Sequence, residues 1–316
     1  MIDRRNFLKT AGAVGVAGLA GCLGQFGQQP YRDGQVRFLM SPSEPQDLMM
    51  RQYAPVREHL ENAIESDVTV QLQYARNYSA TLDALGSGTG DIAETGPFAA
   101  ALGVMANKVE IALQRKGFGT WTYKSVIVTR KETNIQETKD LKGKTIAFAD
   151  MTSASGSLYP LYMIKQAGLD IGQAPQSDAG ADFEATWSGH QAAFESLMSG
   201  QADAAGVGRF ITLTENEQGE RVYKEGVREV DMVSGIPRAP IIISPKLSDD
   251  EQNTLVNALL NAPKKMYLGK DGKPDTDDDL WFNDVRKASL ETYQPVIDVA
   301  KELGIQTDLL DQAAQG

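Results

Sequence analysis

The sequence predicts an α/β protein of two similar lobes joined by two crossover strands, and three observations carry that prediction. Strands alternate with helices from Val36 to Pro97. The same rhythm restarts about 110 residues later, from Lys144. Two extended apolar runs, Ser125–Thr129 and Pro240–Ser244, stand where a chain can pass from one unit to the other and return. Strand–helix alternation implies parallel sheets. Two such lobes leave a cleft at the carboxyl ends of their strands, where ligands sit in this class of sheet and around which lobes can close. The expected division is 36–125 with 240–316 for lobe 1 and 126–239 for lobe 2.

The elements follow in order. Val36-Arg37-Phe38-Leu39-Met40 reads as a strand closed by Ser41-Pro42-Ser43-Glu44-Pro45. Apolar residues at helical spacing (Met49, Tyr53, Val56, Leu60, Ile64) predict one helix over 48–64. Val68–Leu72 is a second strand and Asn77–Leu85 a second helix. Asp91-Ile92-Ala93-Glu94-Thr95 starts as a strand and breaks at Gly96-Pro97. In the second unit, Lys144–Ala149 is a strand, Asp150–Gly156 a loop and Ser157–Ala167 a helix. Gln191–Ser199 is a helix leading to Ala202–Val207. Helices over 248–267 and 290–303 are expected to complete lobe 1.

Residues 1–21 read as an export signal. Arg4-Arg5 precede a short Ala/Gly/Val/Leu stretch from Ala11 to Gly21, too short for a stable span, which takes about 20 apolar residues. The arginine pair resembles a twin-arginine signal, the route for proteins exported already folded. The stretch ends Leu19-Ala20-Gly21-Cys22, which resembles a lipobox. Cys22 is the one cysteine in the chain, and lipidation there would explain it. Residues 22–35 begin Gly/Gln-rich and read as a tether holding a body at the outer face of the cytoplasmic membrane. Removing 1–21 takes away Arg4, Arg5 and Lys9 against Asp3, which moves the formal charge from −11 to about −13. Such a surface disfavours nucleic acid. An anion site on it must be built locally from oriented donors.

Asp150-Met151-Thr152-Ser153-Ala154-Ser155-Gly156, between a strand and a helix, is the strongest site candidate. A first helical turn leaves backbone N–H groups free, Ser153 and Ser155 add hydroxyls, and Gly156 allows close approach. From these residues alone, a serine helix cap and an anion cradle are equally open. His190, at the start of another helix, is open between anion donor and cap. His59 reads as a surface residue.

With these pieces placed, the chain resembles the phosphate/phosphite/phosphonate-binding proteins of ABC importers, the PhnD-like family. The resemblance runs from about Arg37 to Ser244. It rests on Phe38–Glu44, Asn77-Tyr78, Gly90-Asp91-Ile92-Ala93, the Ser153–Ser155 loop with Pro160, Gly189-His190 and Gly200-Gln201-Ala202-Asp203-Ala204. It implies a type II periplasmic-binding-protein fold. It implies phosphoryl oxygens held by Ser153, the Ala154 backbone, Ser155 and His190, with Tyr78, Thr95 and Ser43 facing them from lobe 1. Ala154 stands where the family often has threonine, and Thr95 where it has a second tyrosine. Phe210 and Ala239 match positions at which aminoalkylphosphonate binders carry carboxylates, so phosphate, phosphite or a small alkylphosphonate is the expected ligand. Arg209 and Arg238 lie nearby; either could pair with the anion, but solvent-exposed or interlobe salt-bridge roles are expected for both. The implied partners are an ABC permease and its ATPase, the membrane through lipid on Cys22, and no nucleic acid; a monomer is expected. The same cleft would also serve a ligand sensor for a membrane receptor, or another small acid.

No cofactor, metal or catalytic role is expected. Ser153, His190 and Asp203 have residue types that allow a hydrolytic triad, but the G-x-S-x-G elbow is absent. The acidic loop 271–279 lacks EF-hand spacing and reads as solvated surface. One cysteine and two histidines offer no zinc spacing, and no phosphate-loop or dinucleotide fingerprint occurs. Trp121, Trp187 and Trp281 are expected to be packing residues.

Overall fold

The computed structural model describes residues 31–64, 67–216 and 218–313; the signal 1–21 and Cys22 lie outside them. The chain opens with β1 (Gln35–Met40), which buries Val36, Phe38 and Met40. Next come α1 (Gln46–Gln52) and α2 (Ala54–Ala63). The single helix expected over 48–64 is broken at Tyr53. Pro55 has no N–H for the Arg51 carbonyl and would clash with it, but it is tolerated in the first turn of a new helix. Then follow β2 (Thr69–Tyr74), α3 (Tyr78–Ser87), β3 (Ile92–Glu94), α4 (Pro97–Met105) and β4 (Glu110–Gly117).

The chain leaves the first sheet through Phe118–Trp121. It then builds β5 (Thr122–Arg130), β6 (Thr145–Phe148), α5 (Tyr159–Gln166), β7 (Glu184–Trp187), α6 (His190–Met198) and β8 (Ala204–Gly208). A small hairpin of β9 (Leu213–Glu215) and β10 (Arg221–Tyr223) precedes the long β11 (Val227–Pro237). Arg238-Ala239 leads back to β12 (Pro240–Ile243), α7 (Asp249–Leu260), β13 (Phe282–Lys287), α8 (Gln294–Leu303) and α9 (Leu309–Ala313). Ser125–Thr129 is therefore not the crossing segment: it lies inside β5, paired with β8 and β11.

Two principal sheets result, with orders β13-β4-β12-β3-β1-β2 and β11-β5-β8-β6-β7. They are mixed rather than parallel. The β2-β1-β3 and β7-β6-β8 groups are parallel, whereas the strands flanking the crossovers pair antiparallel. A strand that leaves one sheet and a strand that returns to it run in opposite senses, which strand–helix rhythm does not reveal.

Each sheet is packed on both faces. One apolar cluster joins Phe38, Leu60, Leu255 and Phe282 on one face of the first sheet. Another spans the lobes, with Leu82 and Phe98 on one side, Leu158 and Tyr159 on the other, and Val296 and Ala300 of α8 between. α8 thus packs against both lobes, and Lys165 and Gln166 of α5 donate to Glu302 at its end. Among the described residues no helix is long and apolar enough to cross a membrane.

Candidate functional site

The serine loop gets its shape from Pro160. Pro160 lacks the N–H that would bond the Gly156 carbonyl in an α-helix, and that carbonyl instead accepts from Ala149 N–H at 2.9 Å. The turn over Ala154–Leu158 widens into a π-helical one, a form frequent at functional sites. Carbonyls are tied back, since the Ser155 oxygen accepts from Ser125 Oγ at 2.7 Å. Gly156 is required for packing: a Cβ there would lie 2.2 Å from Ala149 Cβ and 2.7 Å from His190 Cε1.

His190 is held by its backbone surroundings. Gly208 N–H donates to its Nδ1 at 3.1 Å, so the neutral ring carries its proton on Nε2. Burial pushes its pKa down to about 4, so it is neutral at pH 7. Nε2 lies 3.2 Å from Ser153 Oγ, which also accepts from Gly156 N–H at 3.1 Å. The Ser153 oxygen therefore accepts twice, and its own proton remains to be donated. Ser155 sits beside Tyr123, whose hydroxyl is pushed by burial up to about 12, with hydrogen bonds from Ser155 pulling the other way.

The first-lobe wall is different. Glu94, at the end of β3, and Arg115 in β4 are each 1% exposed and pair at 2.7 Å. Arg115 also donates to Tyr53 Oη (3.1 Å), Thr95 O (3.3 Å) and Ala239 O (3.2 Å), and stacks 4.6 Å from the Trp281 ring. Glu94 accepts from the Ser41 backbone and hydroxyl at 2.6 and 2.8 Å. A buried ion pair of this kind is tolerable because its other hydrogen bonds are made as well. The walls touch where Tyr78 N–H donates to the Asp150 carboxylate, itself half-buried and raised in pKa by desolvation.

Ser43, Tyr78, Thr95, Ser153, Ala154, Ser155 and His190 all line one cavity of about 90 Å³ between the lobes, room for several waters or a small ligand. Sequence reasoning missed Glu94, Arg115, Tyr123 and Glu44 in its lining. Glu94 carried a usable signal, since it ends a parallel strand where ligand sites form. Trp281 also lines the cavity, contrary to the packing role expected for it. So do Phe210 and Ala239, but the cavity is not free of carboxylates: Glu94 is neutralised by Arg115, and half-buried Glu44 has its pKa raised by desolvation, with Lys224 opposing.

Arg238 departs from its expected exposed or salt-bridged role. It is 8% exposed, donates to Thr120 O (3.0 Å) and Thr120 Oγ1 (3.3 Å), and makes no ion pair among the described residues. Rings of Phe118, Tyr123 and Trp281 surround its guanidinium. Burial lowers its pKa to about 10, leaving it charged at pH 7. Arg209 instead donates to Tyr223 Oη at 3.1 Å, outside this cavity.

Ser153, His190 and Asp203 are not arranged as a triad, because Nδ1 takes Gly208 N–H and Asp203 Oδ2 accepts from Thr145 N–H at 3.0 Å. Trp187 stacks on Phe148 as a packing residue. His59, expected at the surface, bonds the Ala258 carbonyl at 2.8 Å and ties α2 to α7. In the acidic loop, Asp278 is buried and accepts from Lys270 and Asp271 N–H. Among the described residues no His/Cys/Asp/Glu group could hold a metal.

Residues 38–293 match the family model of the ABC transporter, phosphonate, periplasmic substrate-binding protein. The chain belongs to that family. Residues 1–21 match the twin-arginine translocation signal and mark the chain for export. The Phosphate-import protein PhnD of Mycolicibacterium smegmatis is 30% identical over 173 residues, 52% of this chain and 51% of that protein; the match spans about half that relative's length. Two solved structures share the fold. A binding protein component of an ABC phosphonate transporter from Pseudomonas aeruginosa has a TM-score of 0.68 at 21% identity, covering 90% of this chain and 88% of that one. PhnD1 of Prochlorococcus marinus, in complex with methylphosphonate, has a TM-score of 0.69 at 19% identity, covering 86% and 98%. The type II binding-protein architecture expected from sequence is thus the architecture found.

Proposed function

We propose that this chain captures a phosphorus oxyanion (phosphate, phosphite or a small alkylphosphonate) in the interlobe cavity and hands it to an ABC permease driven by its ATPase. The observation that carries the reading is Ser153: with both acceptances filled by Gly156 N–H and His190 Nε2–H, its proton is left for the cavity. Tyr123, which accepts from Ser155, adds its own hydroxyl donor on the same wall, and Tyr78 and Thr95 face it. Arg238 supplies the positive charge that neutral donors lack, in a dry setting where a charge-assisted contact is strong. His190 acts chiefly by aiming Ser153. Family membership and the methylphosphonate bound by the fold-sharing PhnD1 support the ligand class.

The cavity disfavours an ammonium-bearing ligand. Glu94 is taken by Arg115 and Ser41, the field of Lys224 offsets half-buried Glu44, and Arg238 would repel a second cation. We further propose lipidation at Cys22, lobes at 36–125 with 240–316 and 126–239, and a monomer that closes on its ligand. Isothermal titration of protein purified free of phosphate tests the reading. Binding of phosphate, phosphite or methylphosphonate, with 2-aminoethylphosphonate weaker, is expected. Tight 2-aminoethylphosphonate binding with none of the others would overturn it.

A further inference from the structure

A second, larger cavity of about 260 Å³ adjoins the first. The two share Phe118, Tyr123, Phe210 and Arg238 as a common wall. The outer one is also lined by Arg209, Arg221 and Lys124, and among the described residues no carboxylate lines it. This concentration of cations is unusual in a chain of formal charge −11. None of the four forms an ion pair among the described residues. The Phe118 ring carries two guanidiniums, Arg221 at 4.2 Å and Arg238 at 5.4 Å from its centroid. Arg209 lies over the Tyr223 ring and donates to its hydroxyl, which donates in turn to Glu229. Burial is the main cause lowering the pKa values of Arg221 and Arg238, and like charges add to it, Arg209 on Arg221 and Arg221 on Arg238. Glu215, the cross-strand partner of Arg221 on the hairpin, partly offsets it without forming a salt bridge among the described residues. The hairpin β9–β10 and the residues leading into it supply Leu213, Arg221 and Arg209 to this cavity, so it is an elaboration on the lobe rather than part of its sheet.

We propose that the outer cavity is a second anion subsite, and that the chain takes phosphonates or phosphate esters bearing a second anionic group such as a carboxylate. The phosphoryl group occupies the inner cavity, Arg238 on the shared wall contacts both ends, and Arg221 and Arg209 receive the second anion. Arginine suits this role, since its planar fork matches a carboxylate bidentately. This proposal rests on the phosphorus-oxyanion reading above.

The test is titration of phosphate-free full-length protein with phosphonoacetate and with ethylphosphonate, which differ in little but the carboxylate. Phosphonoacetate is expected to bind at least about tenfold tighter, the worth of one charge-assisted contact. Arg221→Gln, a change at an exposed residue of an edge hairpin, should remove most of that preference while ethylphosphonate affinity stays within about twofold, because Arg221 lies outside the inner cavity. Equal affinities for the two ligands in the wild type, with ethylphosphonate bound, would overturn the second subsite and leave the phosphoryl site standing. A preference that survives in the Arg209→Gln/Arg221→Gln double variant would overturn it too. Binding of neither ligand, nor of phosphate, would overturn the oxyanion reading and the subsite together.

Discussion

The two walls of the cavity bury polar groups by opposite means. On the first-lobe wall the fully buried charges are answered internally, half-buried Glu44 standing apart at the rim: Glu94 pairs with Arg115, and both fill their remaining positions with Ser41, Tyr53 and backbone carbonyls. On the second-lobe wall donors are left over. His190 and Gly156 both point at Ser153, and the Ser153 proton has no acceptor among the described residues. A satisfied network gives stability and shape, whereas a surplus of aimed donors gives affinity for an acceptor-only ligand. Arg238, at the return crossover, belongs with the second kind: it is as buried as a structural arginine, yet no carboxylate among the described residues pairs with it. Substitutions on the two walls should therefore separate into losses of stability and losses of binding.

The largest effect is expected from Glu94→Ala, which strands the Arg115 guanidinium. Breaking one side of a buried pair costs about 3–5 kcal/mol, read as a fall in thermal or urea midpoint. A midpoint within a degree of wild type would show that the pair does not organise this wall. Next comes pH. The folded His190 pKa of about 4 lies below its ordinary 6.5, so between those values the unfolded chain binds a proton that the folded chain refuses. The stability from this site is complete above pH 6.5 and is lost as pH falls toward 4, on the order of 3 kcal/mol. His190→Gln should flatten that part of the stability–pH curve. An unchanged slope would mean the ring is not held neutral.

Ser153→Ala should cost about 1.5–3 kcal/mol of anion affinity, a ten- to hundredfold weakening, and about 1 kcal/mol of stability through the lost cap. The smallest effect is assigned to Glu44→Gln. Removing a half-buried carboxylate from the lining should tighten anion binding several-fold, and weaker binding would show that Glu44 instead accepts a ligand proton.

The second-lobe wall was largely legible in sequence because its signal is local. A strand, a Ser/Thr-rich loop, a glycine and a proline fall within sixteen consecutive residues (145–160), and His190 opens the next helix on the same sheet. The first-lobe wall was not legible. Glu94 and Arg115 meet only because β12, more than a hundred residues on, inserts between β3 and β4 and draws both strands into one sheet. Arg238 was misjudged for a related reason. Its apolar surroundings come from Phe118, Tyr123 and Trp281, which lie far away in sequence. The break between α1 and α2 was visible in Pro55, but the apolar spacing across it masked the signal. The mixed direction of the sheets depends on which strands flank the crossovers, and helix–strand alternation contains no record of that.

The most direct measurement is isothermal titration of phosphate-free wild-type and Ser153→Ala protein with methylphosphonate and phosphate, with thermal midpoints taken on the same samples. One-to-one binding of at least one anion by the wild type is expected. In Ser153→Ala, affinity should fall by at least about tenfold with only a small change in midpoint. No binding of either anion, or equal affinity in the two proteins, would contradict the assignment of the surplus donors on the second-lobe wall to a phosphorus oxyanion.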